Sequence, residues 1–225
     1  MSLKEFFLKL FSKQEEVPVL PSPQLEPQDE DTVAPIKGKL KLGLIVGHTK
    51  MQKGSKMAEP FSRYEYDYNE EVAKAAKKYS EKYPNMEVEV IYRDHVGIHG
   101  AYVWAEQLGC DAVIELHFNA FNGKEQGTLT LCTADVSDVE FAHTIHKGLC
   151  ALFARDGDSR GIRAISRNSR GANVHLFPNG VNCLVEPFFG DNKDDASKGV
   201  LLMDKYAEVL IDSVYLWGKK VDLLK

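Results

Sequence analysis

The chain reads as an α/β protein: a single domain on a twisted, mostly parallel sheet of about six strands covered by helices. Three observations predict this. Short runs rich in Val, Ile and Leu alternate with longer segments of helical periodicity. Several of those runs end in glycine or a polar side chain, as strands do at a sheet edge. The stretch from Gly38 onward, about 188 residues, is the size of one domain with a substantial core.

The first 37 residues stand outside the alternation. Leu3, Phe6, Phe7, Leu10 and Phe11 make a helical apolar stripe among Lys4, Lys9 and Lys13, so residues 1–13 are expected to be a short amphipathic segment. A lone helix of that length is marginal in water and needs a surface to dock on: the rest of the chain, a membrane surface or a partner protein. Residues 14–37 carry Pro18, Pro21, Pro23, Pro27 and Pro35 amid acidic side chains, the composition of an extended linker. The start of the chain lacks the continuous apolar core and small-residue cleavage site of a secretory signal, so synthesis in the cytoplasm without one is expected. No apolar run approaches the roughly 20 residues of a membrane span.

From Gly38 the elements follow in order. A strand over 40–47 runs into Gly47-His48 and a loop closed by Gly54. Tyr68, Val72, Ala75, Ala76 and Tyr79 recur at helical spacing, predicting a helix over 66–82. Then come a strand at 86–92, a helix at 98–108 and a strand at 112–118. A strand at 127–133 and a helix at 137–154 lead into a segment, Arg155 to Asn179, with a weaker strand candidate at 162–166. The strand 181–186 stops at Pro187, which has no ladder donor, and a helix over 194–217 finishes the domain.

The chemistry-bearing residues sit at the strand ends. His48 follows the first strand, where an imidazole either caps the strand or serves a site at the sheet's carboxyl edge. Glu65 opens the first helix, where a carboxylate also offsets the positive end of the dipole. Glu115, His117 and Asn119 share one face of a strand expected to be buried on both sides. Unpaired buried polar groups cost about 1–3 kcal/mol each, and a metal site is a sufficient reason for them. Glu186 ends its strand at the same edge. Two imidazoles and a carboxylate suit zinc, and a further carboxylate suits acid and base work beside it.

These motifs together resemble the zinc-dependent N-acetylmuramoyl-L-alanine amidases of the amidase type 3 family. The matching pieces are Gly47-His48 with its following loop; Glu65, Asp67, Asn69, Val72 and Ala73; His117, Asn119 and Ala120; and Leu184, Val185, Glu186, Phe189 and Asn192. They occur in the family's order over most of the chain after residue 37. The resemblance implies one zinc held by His48, Glu65 and His117, with Glu186 as catalytic acid and base. It implies hydrolysis of the amide between N-acetylmuramic acid and L-alanine in peptidoglycan, with action at the cell wall or periplasm. A zinc peptidase on a similar scaffold, or a peptidoglycan-binding protein of low turnover, are the alternatives. The absence of a clear export signal resembles a phage lysin.

Two departures from the family pattern concern the site. Glu115 stands where the family often has serine, and either orients a ligand histidine or pairs with an arginine. The helix before its strand lacks the family's arginine, although "VIYRDHVG" places Arg93 and Asp94 near a related motif. Asn119, Arg167 and Arg170 are the expected substrate contacts, the arginines by meeting stem-peptide carboxylates. His143 and His146 have ligand spacing but read as a solvated helix face. The net charge of −5 argues against nucleic acid as partner. Cys110, Cys132, Cys150 and Cys183 lack paired spacing and read as small buried hydrophobes.

Overall fold

In the computed structural model the described residues are 38–157 and 159–224; the amphipathic segment 1–13 and the linker 14–37 lie outside them. Six strands form one sheet: β1 (Leu40–Val46), β2 (Met86–Tyr92), β3 (Ala112–Leu116), β4 (Leu129–Cys132), β5 (Ile162–Ala164) and β6 (Val181–Glu186). Their order is β2-β1-β3-β6-β4-β5, parallel except where β4 runs antiparallel to β6. The helices are α1 (Glu65–Ser80), α2 (Gly97–Gln107), α3 (Val136–Leu152), α4 (Lys193–Leu201) and α5 (Met203–Lys220).

The central strands are buried on both faces, which explains their unbroken apolar runs. Leu42, Leu44, Ile114, Leu116 and Val185 point to one face, where Tyr68 and Val72 of α1, Phe141 of α3 and Leu210 of α5 cover them. Ile45, Ile91 and Val113 point to the other, under Tyr102 and Ala105 of α2 and under Phe177. Glu115 shares the face of Val113, so a carboxylate lies beneath α2. All four cysteines are buried and outside any disulfide, as their apolar surroundings suggested.

The expected helix over 194–217 is two helices, broken at Leu202. Gly199 lies so close to Phe188 that a Cβ there would stand 2.5 Å from the ring, and its carbonyl accepts the Tyr68 hydroxyl at 2.8 Å. This tertiary contact bends the chain into the core, whereas the local periodicity would carry one helix through.

Loops at the carboxyl ends of β3 and β6 are tied to the start of α4. Asn192 caps α4 by accepting from Asp194 and Asp195. The buried Asp195 carboxylate accepts the backbone N–H groups of Phe189 at 3.0 Å and Gly127 at 3.2 Å, and pairs with Arg155 at 2.9 Å. Asp191 likewise accepts from Phe121 and Gly123 at 2.9 and 2.8 Å. We predict that Asp195→Ala, which leaves Arg155 and two amides without their partner, lowers the unfolding free energy by about 3–5 kcal/mol in urea titrations. A loss under about 1 kcal/mol would contradict the role given to this carboxylate.

Candidate metal centre

Two close approaches bring the strand ends together. Gly47 donates its N–H to the Leu116 carbonyl at 3.0 Å, and a Cβ on Gly47 would lie 2.3 Å from that oxygen and 2.6 Å from the His117 ring. Glycine is therefore required where β1 passes β3. The next residue, His48, has φ 68, a left-handed conformation that costs a non-glycine residue about 1–3 kcal/mol and is typical of functional sites. The turn brings its imidazole against Glu65 at the first residue of α1.

Glu65 is almost fully buried and anchored by the backbone. Its Oε2 accepts from the Ser55 N–H at 3.2 Å and its Oε1 from the Phe118 N–H at 3.1 Å. The same oxygens meet His48 Nε2 at 3.0 Å and His117 Nδ1 at 2.7 Å. The two rings stand edge to face with centroids 5.0 Å apart. Burial works against a charged Glu65, but the hydrogen bonds to His117 and His48 outweigh it and hold the carboxyl at about 2. Burial likewise disfavours a charged His117, and hydrogen bonds to Glu115 and Glu65 reverse this, pushing it up to about 10.

Ligand atoms of His48, Glu65 and His117 all lie within 4.8 Å of one another. Donors held at about 2.0–2.1 Å around a tetrahedral zinc stand about 3.3 Å apart, close to the 2.7 and 3.0 Å spacings here. Gly54 shapes the cradle: at φ +75, a Cβ there would sit 2.5 Å from His48 Cδ2 and 2.6 Å from Glu65 Oε2. Donor chemistry and free space both fit a divalent ion bound from three sides.

Glu115 is fully buried behind His117. Its Oε1 meets His117 Nε2 at 3.0 Å and Arg93 at 2.9 Å, while its Oε2 accepts from the Tyr102 hydroxyl at 2.9 Å and from Asn173. The expected pairing with an arginine is thus present, and the same carboxylate oxygen also meets His117. Burial would raise its carboxyl, but His117 and Arg93 keep it below the usual range. Tyr102 carries no local signal of this role, since a tyrosine on a helix's buried stripe reads as core.

Glu186 ends β6 half-buried, its Oε2 accepting from Asn119 Nδ2 at 2.9 Å. Burial pushes its carboxyl upward, against the pull of His117, Arg170 and Arg160. One cavity of about 620 Å³ takes in His48, Glu65, His117, Asn119 and Glu186, with Arg163 and Arg170 in its lining. Arg167 is exposed and outside that lining. The solvated face expected for His146 is corrected: it is buried where α3 lies on β4, Nδ1 2.9 Å from Thr130 and Nε2 3.4 Å from Cys150.

Solved structures share this fold, among them the following three. The catalytic domain of CwlV, an N-acetylmuramoyl-L-alanine amidase from Bacillus (Paenibacillus) polymyxa var. colistinus, aligns with TM-score 0.67 at 19% identity, covering 82% of this chain and 99% of that one. An N-acetylmuramoyl-L-alanine amidase from Clostridium difficile 630 gives 0.70 at 22% identity, covering 80% and 97%. The catalytic domain of the CD27L endolysin, which targets Clostridia difficile, gives 0.60 at 23%, covering 78% and 97%. No match was found among curated proteins. At such identities these likenesses establish the fold. The sequence also matches the family model described as N-acetylmuramoyl-L-alanine amidase over residues 43–214, most of the described domain, and the chain belongs to that family of amide hydrolases.

Proposed function

We propose that this enzyme hydrolyses the amide between N-acetylmuramic acid and L-alanine in peptidoglycan, using one zinc held by His48, Glu65 and His117. The observation that carries the reading is the convergence of those three donors in the same cavity as a second, differently tuned carboxylate, Glu186. When bound, zinc would supply Lewis acidity, acidifying water and stabilising negative charge on the carbonyl oxygen.

The protein's own groups do the rest. Glu186 takes a proton from the attacking water and returns it to the leaving nitrogen, a role suited to a carboxyl raised by burial. Asn119 fixes one oxygen of Glu186 and leaves the other for the water. Arg163 and Arg170 in the cavity lining offer forked donors to the carboxylates of a stem peptide. Arg167 lies apart from that lining and has no role in this reading. His117 is oriented from behind by Glu115.

Purified peptidoglycan digested with and without a chelator, and analysed by mass spectrometry, tests the function. New L-alanine amino termini on an intact glycan are expected, lost on chelation and restored by zinc. Cleavage within the stem peptide would favour a peptidase, and wall binding with no cleavage would sink the catalytic reading. Glu186→Gln is expected to lower kcat by roughly 10²–10⁴-fold while zinc stays bound; retained turnover would remove Glu186 from the mechanism. Because the base must be ionised and its carboxyl is raised, the acid limb of the kcat/KM profile should lie above pH 4.5, the ordinary value. Gly54→Ala should weaken zinc binding at least about tenfold, read by chelator competition, with the circular dichroism of the fold kept.

A further inference from the structure

Glu115 has a second connection that the catalytic reading leaves unused. Its carboxylate is fully buried and collects hydrogen bonds from four separate segments: Arg93 beyond β2, Tyr102 in α2, His117 beyond β3, and Asn173 in the 3-10 turn Ala172–Leu176. The bonds are divided by oxygen. Oε1 serves Arg93 and His117, on the side of the metal ligands; Oε2 serves Tyr102 and Asn173, on the side of the groove wall.

Asn173 lines the cavity close in sequence to Arg170 and Gly171, which line it too. The stretch that carries them is anchored at Val174 and Phe177 and exposed between residues 166 and 170. Val174 is buried beside Leu129, Leu131 and Leu184, and His175 reaches the Ile165 carbonyl at 2.6 Å, but Arg163, Arg167 and Arg170 are all exposed. Among the described hydrogen bonds, the link from Asn173 to His117 runs through Glu115. A carboxylate is planar and rigid, so a shift that pulls Oε2 toward or away from Asn173 also turns Oε1 beneath the His117 ring.

We propose that Glu115 is a positioning residue that couples metal occupancy to the order of the groove wall. The inference rests on His117 being a metal ligand. With the Nε2 side of the ring held by Glu115, Nδ1 faces the cradle of Glu65 and His48. The wall that meets substrate then steadies the ring that holds zinc, and zinc steadies the wall to the same extent, because coupling between two sites is reciprocal. Serine in place of Glu115 could not span both partners, having one short side chain and a single oxygen.

Zinc dissociation constants from chelator competition, for the wild-type chain and for Asn173→Ala, Glu115→Gln and the double variant, test this directly. Glu115→Gln keeps the shape but not the charge and should weaken zinc about 10–100-fold. Asn173→Ala removes a group that has no hydrogen bond to a proposed ligand among those described, and should still weaken zinc about fivefold or more. In the Glu115→Gln background it should add nothing further. Hydrogen exchange over residues 165–177 should slow on zinc addition in the wild type and not in Asn173→Ala. Wild-type zinc affinity in Asn173→Ala, or additive losses in the double variant, would overturn the coupling and leave the metal assignment standing. A wild-type chain whose zinc affinity is unchanged by His117→Ala would overturn the assignment and the coupling with it. Should Glu115→Gln fail to fold, affinity and exchange in Asn173→Ala decide alone.

Discussion

Everything at the sheet edge depends on how closely β1 and β3 approach around the carboxylate of Glu65. That group sits at the start of α1, where two backbone N–H donors and two imidazoles converge on its two oxygens. A buried carboxylate so surrounded stays ionised, and an ionised carboxylate gathers the rings to itself. The approach is possible because Gly47 and Gly54 leave room that any side chain would fill. The left-handed turn at His48 is the local cost, offset by the hydrogen bonds and packing that hold the strand ends.

Three acidic side chains serve the cavity, and their surroundings separate them. Glu65 is held down by histidines, Glu115 by His117 and Arg93, while Glu186 has one neutral amide bonded to it and is pushed up by burial. Groups pushed apart in this way are fitted to different tasks. Ionised carboxylates suit binding and orientation. One whose proton affinity is raised suits proton transfer.

Much of this was legible in the sequence because the relevant signals are local. Leu40–Val46 ending in Gly-His, His117 and Asn119 spaced by two, and Glu186 followed by a proline each mark a strand end that carries a polar side chain into the cavity. What local patterns could not carry was long-range. Whether β4 pairs parallel or antiparallel with β6 depends on how the intervening chain crosses the sheet. The break at Leu202 comes from Tyr68 and Phe188, more than one hundred residues and about a dozen residues away respectively. His146 read as part of a solvated face together with His143, yet it lies on the buried stripe of Ala142, Leu149 and Cys150 and meets Thr130 on a strand. Glu115 signalled only that something must pair with it. Its partners Tyr102 and Asn173 lie on a helix and a turn that nothing in the local pattern connects.

In the proposed reading, His48, Glu65 and His117 hold one metal ion. Anomalous diffraction at the zinc absorption edge from crystals grown with zinc measures this most directly. A single strong peak within coordination distance of His48 Nε2, Glu65 and His117 Nδ1 is the predicted result. Zinc found elsewhere in the domain, with these three side chains still bonded to one another at saturating metal, would contradict it.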